Sequence, residues 1–319
     1  WQPSHLTPSS EVENKGMKEH ENSMKARASE ETRSLTDRTL ERFEEDRAWV
    51  PVIVKRTDEA RRHPDDVLVA VIEEGLEQLS RPTFSLGLSA VAAGLILGFT
   101  AMAVAVVSVA AQPLADWPML ERLAVALVYP LGFVVCLMSG AELYTEHTAT
   151  AVYPVLDKKA RFGSLLRLWV TIVAGNLLGA FVSASLMIGA DSVIGARDGY
   201  IEIGRHLVAF PSMPLLLSAV LAGWLMALGA WLIMATPPTV SQIVSIYIVT
   251  FLIGLGGLHH SIAGAVEIFA AVLASDEFGL SQIARFLSLA LLGNLIGGSF
   301  FVAALNYAHI RKSRERQDA

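Results

Sequence analysis

The chain has a single cysteine, Cys136, among 319 residues, which excludes an intramolecular disulfide framework, and it has no C-x-x-C pair for metal or redox chemistry. A buried free thiol is the expected state of that cysteine. The first 60 residues hold no apolar run long enough for the core of a secretory leader, so a cleavable leader is not expected. No glycine-rich segment has phosphate-loop spacing and no His-Glu-x-x-His is present. No basic–aromatic pattern points to nucleic acid either. Charge is scarce over most of the chain but crowded in its first 80 residues, as in "RTLERFEEDR".

From about residue 84 long apolar runs take over. Runs near 20 residues are read as membrane spans, and they fall at roughly 84–109, 120–139, 165–189, 213–235, 240–258 and 286–310. Two further apolar pieces, 148–156 and 262–274, are too short to cross alone and directly follow spans two and five. Lys and Arg near the span ends set orientation. Arg81, Lys158, Lys159, Arg161, Arg167, Arg311, Lys312, Arg314 and Arg316 fall on one side, against Arg122, Arg197, Arg205 and Arg285 on the other. This balance predicts a multi-pass membrane protein with both termini cytoplasmic.

An internal repeat is visible. "AGNLLGAF" at 174–181 returns as "LGNLIGGSF" at 292–300, each with an Asn inside a Gly-x-x-x-Gly (Gly175/Gly179 around Asn176, Gly293/Gly297 around Asn294). That spacing lets helix backbones approach closely. Three spans per half is an odd number, so the second half enters from the opposite face and the repeat is inverted. Span two runs into "SGAELYTEHTATAVYPV" and span five into "GGLHHSIAGAVEIF", at corresponding places. Paired broken helices in an inverted repeat point to a substrate site near the midplane, because irregular backbone at that depth must be shielded by protein or line a cavity. The expected fold is therefore an all-α membrane protein, six transmembrane helices in a 3+3 inverted repeat with helices two and five broken, as in aquaporin-like architectures.

Outside that unit, residues 1–64 read as a charged, disordered cytosolic segment, and 313–319 as a cytosolic tail. Residues 65–80 read as an amphipathic helix along the membrane surface, or as a plain connector, ahead of a six-span domain at 81–312.

Four segments, in order, resemble the formate/nitrite transporter family. "CLMSGAELYTEHT" is similar to that family's second-span break and "RLWVTIVAGNLLGA" to its third span. "GLHHSIAGAVEI" is similar to its fifth-span break and "LLGNLIGGSF" to its sixth span. The similarity covers about 65–312, and the wording of both breaks is nearest a little-characterised inner-membrane branch. The resemblance implies a homopentamer in the lipid bilayer with one pore per protomer, carrying small monovalent weak-acid anions such as formate or nitrite. No cofactor, no metal, no nucleic-acid partner and no enzymatic activity are expected; the ligand expected is the small anion itself. Carried over by position, His260 falls on the central pore histidine and Thr145 on the threonine of the first break, with His259 beside them. Tyr129, Phe133, Leu143, Tyr144 and Ile253 fall on or near two apolar constrictions. The departures bear on substrate. His259 stands where an acid is usual, Gly264 where an asparagine is usual, and Ile253 where an aromatic is usual. A vestibule lysine has no match, leaving Arg205 or His206 to substitute.

His260 has a physical case of its own. A buried imidazole exchanges protons near neutral pH more readily than any other side chain, and an anion crossing an apolar constriction needs a neutralising partner. An interhelical hydrogen bond is its plainer role. For His259 the plainer role is packing, for Glu267 a structural hydrogen bond rather than a proton relay, and for Glu142 capping of the first break. Glu146 and His147 begin the short helix after that break. Gathering these histidines and acids into a metal site meets the objection that adjacent histidines on one helix diverge. The function expected is an anion transporter or channel, the alternatives being a neutral-solute channel or a membrane scaffold or sensor on the same fold. Reporter fusions at residues 160 and 195 are expected on opposite faces of the membrane; finding both on one face would end this topology.

Overall fold

A computed structural model describes residues 62–114 and 116–315; the charged segment 1–61 and the last four residues lie outside it. Among the described residues every regular element is a helix. The order begins with α1 (Pro64–Ser80), α2 (Thr83–Ala111), α3 (Pro118–Val128), α4 (Pro130–Met138), α5 (Tyr144–His147) and α6 (Tyr153–Leu156). It continues with α7 (Phe162–Gly189), α8 (Asp191–Ile194), α9 (Arg197–Ala209), α10 (Ser212–Ala235), α11 (Thr239–Gly256) and α12 (Ser261–Ala274). The last crossing is α13 (Leu280–Ile296), a π-helical stretch Gly297–Ala304, and α14 (Leu305–Glu315).

Six of these units are long and apolar enough to cross a membrane: Thr83–Ala111, Pro118–Met138, Phe162–Gly189, Ser212–Ala235, Thr239–Gly256 and Leu280–Arg311. The second is interrupted at Tyr129, because Pro130 has no N–H and its ring crowds the preceding turn. The sixth begins ahead of the expected residue 286, since the Gly279 N–H is satisfied by Gln282 Oε1 at 2.9 Å. Its π-helical stretch lies where Ser299 Oγ donates to the Thr148 carbonyl at 2.7 Å, so the widened turn accommodates the segment after the first break. Large apolar side chains such as Phe99, Leu131, Val170, Leu217, Leu252 and Leu292 stay exposed on the outer helix faces, as bilayer or neighbouring subunits require.

Helix α1 is amphipathic, as its sequence pattern suggests. Its apolar stripe, Val67, Leu68, Val71, Ile72 and Leu79, is buried within the protein. Gly75 sits so close to the Thr150 carbonyl and Pro154 that a side chain there would clash. The acids Glu73 and Glu77 face outward instead.

The two halves are built on the same contacts. In α2 and α7, Gly94 lies against the backbone of Asn176 and Gly175 against Ala90. In α10 and α13, Gly223 lies against the backbone of Asn294 and Gly293 against Ala219. Each pair crosses so tightly that Cβ atoms at these glycines would not fit.

The breaks match at the level of single hydrogen bonds. Span two stops at Gly140, whose φ is 68°, and span five at Gly257, whose φ is 59°. The Gly140 N–H donates to Leu137 O and the Ala141 N–H to Cys136 O, at 3.1 and 3.3 Å. The Gly257 N–H donates to Gly254 O and the Leu258 N–H to Ile253 O, at 3.1 and 3.0 Å. Both are Schellman ends, which need a left-handed residue that only glycine supplies without strain. A Cβ at Gly140 would meet nothing within 4 Å, and one at Gly257 only ordinary contacts with His206 and Arg122. Gly140→Ala and Gly257→Ala are therefore expected to be penalised through φ alone, by about 1–2 kcal/mol each. Thermal melting in detergent checks this, and an unchanged midpoint for both would remove the glycines from this role.

Candidate functional site

Beyond each glycine the chain runs extended before helix resumes, and the freed backbone groups find the same partner twice. Asn176 Oδ1 accepts the Tyr144 N–H at 2.9 Å, and its Nδ2 donates to Glu142 O at 2.9 Å and Ala90 O at 2.8 Å. Asn294 Oδ1 accepts the Ser261 N–H at 2.8 Å, and its Nδ2 donates to His259 O at 3.1 Å and Ala219 O at 2.7 Å. Both asparagines are fully buried. Leu143 in one half thus corresponds to His260 in the other.

His260 is the N-cap of α12. Its Nδ1 accepts the Ala263 N–H at 3.1 Å, and its Nε2 lies 2.9 Å from Thr145 Oγ1. An Nδ1 that accepts has no hydrogen, so the neutral ring carries its proton on Nε2 and donates it to Thr145. The contact joins the two breaks. The Phe133 ring meets His260 edge-on with centroids 4.9 Å apart, and Tyr129 packs on Phe133 at 5.3 Å. Leu143 is wholly buried, and Tyr144 donates its hydroxyl to Leu291 O at 3.3 Å.

A cavity of about 660 Å³ reaches this point, with Tyr129, Ile253, His260 and Glu267 in its wall. Arg122 and His206 also line it. Arg122 is fixed there by bonds to Leu255 O at 2.6 Å and Gly256 O at 2.9 Å, the last carbonyls of α11. Burial and the Arg122 charge hold the His206 imidazole below its ordinary pKa, against a backbone hydrogen bond at Gly257 that works the other way. His206 is therefore mostly uncharged at neutral pH.

Of the two residues considered for vestibule charge, His206 reaches the cavity and Arg205 does not. The Arg205 guanidinium forms a two-pronged pair with Glu277, at 2.8 and 2.6 Å, on a side chain that is 61% exposed. The cation at the cavity is Arg122, which the sequence marked only through its place in the charge balance. His259 is buried yet lines no part of the cavity. Its ring stacks on His206 with centroids 6.2 Å apart and meets Phe210 edge-on at 5.4 Å, while Nδ1 lies 2.8 Å from Ser218 Oγ. Nothing in the sequence singled out Ser218. Gly264 has a steric reason: a Cβ there would meet the Phe286 ring at 2.5 Å, so an asparagine would displace that buried side chain.

The first break is ionic where the second is neutral. Glu142 pairs with Arg81 and with His147, and Arg81 also donates to Gln78 Oε1 at 3.2 Å. The His147 carbonyl accepts the Trp169 indole N–H at 3.0 Å, and Glu146 is half-buried beside it. Among the described residues, no three His, Cys, Asp or Glu side chains stand together in a way that could hold a metal ion.

Six apolar crossings, two matched breaks and a cavity reaching a buried histidine define a membrane protein of the channel or transporter class. The formate/nitrite transporter family model matches residues 65–308, and the chain belongs to that family. It is 32% identical over 245 residues to the inner membrane protein YfdC of Escherichia coli (strain K12), covering 75% of this chain and 76% of that one. Its fold is that of a solved FNT family ion channel, with TM-score 0.68 and 19% identity over 77% of this chain and 99% of the other. A pentameric formate channel with formate bound is also similar, with TM-score 0.61 and 19% identity over 72% and 97% of the two chains.

Proposed function

We propose that this chain moves small monovalent weak-acid anions, of the formate or nitrite kind, across a membrane past His260. The observation that carries the reading is one cavity with Arg122 at its rim and His260 in its wall. Family membership supports it, as does the likeness to a formate channel. An anion leaving water for apolar walls loses hydration worth several kcal/mol. Arg122 offers attraction at the entrance, and the positive N-terminal end of α12, capped by His260, offers it further in. Thr145 accepts the His260 Nε2–H, which leaves the threonine hydroxyl hydrogen free to donate to a passing anion. Protonating His260 at Nδ1 would remove the cap on Ala263, so the ring serves first as a fixed donor. Tyr129, Phe133, Leu143, Tyr144 and Ile253 are read as apolar walls that exclude hydrated ions.

The matched breaks support an inverted repeat, since three crossings per half turn the second half over. We further propose both termini on the cytoplasmic face and a fivefold complex held by the exposed apolar helix faces. Mass measurement in detergent is expected to give five copies, and stable monomers alone would count against it.

Two variants test the mechanism in proteoliposomes. His260→Asn keeps approximate size and polarity but cannot reproduce both the cap and the Thr145 bond. Formate uptake is expected to fall at least about tenfold, the scale of one lost charge-assisted hydrogen bond of ~1.5–3 kcal/mol. His259→Asn is expected to be milder, because that ring faces His206 and Phe210 rather than the cavity. Wild-type uptake is expected to rise as external pH falls, since protons supply the neutralising partner. A fully active His260→Asn would make the histidine structural; a dead His259→Asn with active His260→Asn would move the site by one residue.

A further inference from the structure

Glu267 is the acid that this mechanism leaves unused. It lies on α12 two turns beyond His260, which puts both on one side of the helix, and both line the same cavity. Its side chain is 5% exposed. No hydrogen bond or ion pair reaches its carboxyl among the described residues.

The cations around it are committed elsewhere. Arg122 of α3 is bound to carbonyls of α11, Arg197 of α9 donates to Ala274 O at 2.5 Å, and Arg285 of α13 donates to Phe210 O and Val208 O. Helix α9 otherwise offers Tyr200, Glu202 and His206, and α3 offers Glu121; Tyr129 supplies a phenol. Helix α2 has no charged residue, and the one charge on α7, Arg167, holds Leu79 O and Arg81 O. From α5 come Glu146 and His147, the latter paired with Glu142. Among the described residues no cation pairs with Glu267. An ionised carboxylate without a partner in such a wall is strongly disfavoured, and it would repel the anion that Arg122 draws in.

We propose that Glu267 carries the proton of the pathway and thereby sets its substrate class: anions basic enough to take a proton, such as carboxylates and nitrite, and not anions of strong acids. This rests on the transport reading given above. The carboxyl hydrogen-bonds the incoming anion; its O–H bond breaks as an O–H bond forms on the anion, which moves on as the neutral acid. The carboxylate left behind takes a proton from hydronium entering the water-facing side of the cavity. His260 and Thr145 position the anion, and Glu267 neutralises it.

Glu267→Gln keeps shape and a donor while removing the titrating proton. The full chain and the variant are placed in phosphatidylcholine/phosphatidylglycerol vesicles with a pH-sensitive dye inside, and labelled formate and chloride are offered from pH 5.5 to 8. The wild type is expected to carry formate with internal acidification, to speed up as pH falls, and to exclude chloride. Glu267→Gln is expected to lose the acidification and flatten the profile by at least tenfold over that range, while Glu267→Asp keeps a pH dependence at a lower rate. A Glu267→Gln profile that matches wild type, with acidification intact, overturns the proposal but leaves the transport reading standing. If the Gln variant does not assemble, the Asp variant decides: a pH profile and chloride exclusion indistinguishable from wild type at full rate also overturn it. A wild type that carries no weak-acid anion at any pH sinks the transport reading itself, and this inference with it.

Discussion

The structure depends on how broken helices satisfy their backbone at a depth where water is not available. Buried N–H and C=O groups left unpaired are costly, and in a membrane no solvent can rescue them. Two asparagines meet that requirement. Asn176 and Asn294 each accept one N–H from the chain beyond a break and donate to one carbonyl within it and one on a neighbouring long helix. A carboxamide is suited to this task, since it offers acceptor and donors on one short stem without charge. The glycines flanking each asparagine let α2 meet α7, and α10 meet α13, closely enough for the amides to reach.

On this shared backbone the halves diverge in their electrostatics. At matching places one break carries Glu142, tied to Arg81 and His147, and the other carries His259, packed among His206, Phe210 and Phe286. In the ionic break Glu142 is paired with Arg81 and His147. The second break borders the cavity, whose wall also holds Arg122, Glu121 and Glu202 near the rim and the carboxyl of Glu267 within. This difference gives a symmetric scaffold a polarity. The bond from Asn294 is to the His259 carbonyl, which any residue provides, so the side chain at 259 can vary without disturbing this contact.

His260 is held by both ring nitrogens, one on the helix it caps and one on the opposite break. Such a ring is pre-organised as a donor, and reorienting it would free Ala263 as well as Thr145. Rigidity of this kind suits positioning, whereas Glu267, which makes no side-chain bond among the described residues, is under no such constraint. The cavity thus joins a fixed group and a free one.

Much of this was legible in the sequence. Apolar runs near 20 residues mark crossings because the bilayer sets their length, and the repeated Gly-Asn segments marked matching helices because close packing demands small residues. The breaks were visible as polar interruptions, Gly140 and Gly257 among them, at corresponding positions. The sequence could not show that α1 buries its apolar stripe in the protein, since an amphipathic pattern fits lipid and protein surfaces alike. Nor could it choose between Arg205 and Arg122. Both are arginines near span ends, and only the tertiary structure brings Glu277 to one and the cavity rim to the other. Periodicity and composition are local, so they showed which segments are helical and where they break; partners such as Ser218 for His259 and Thr145 for His260 depend on contacts between distant segments, which only the folded chain decides.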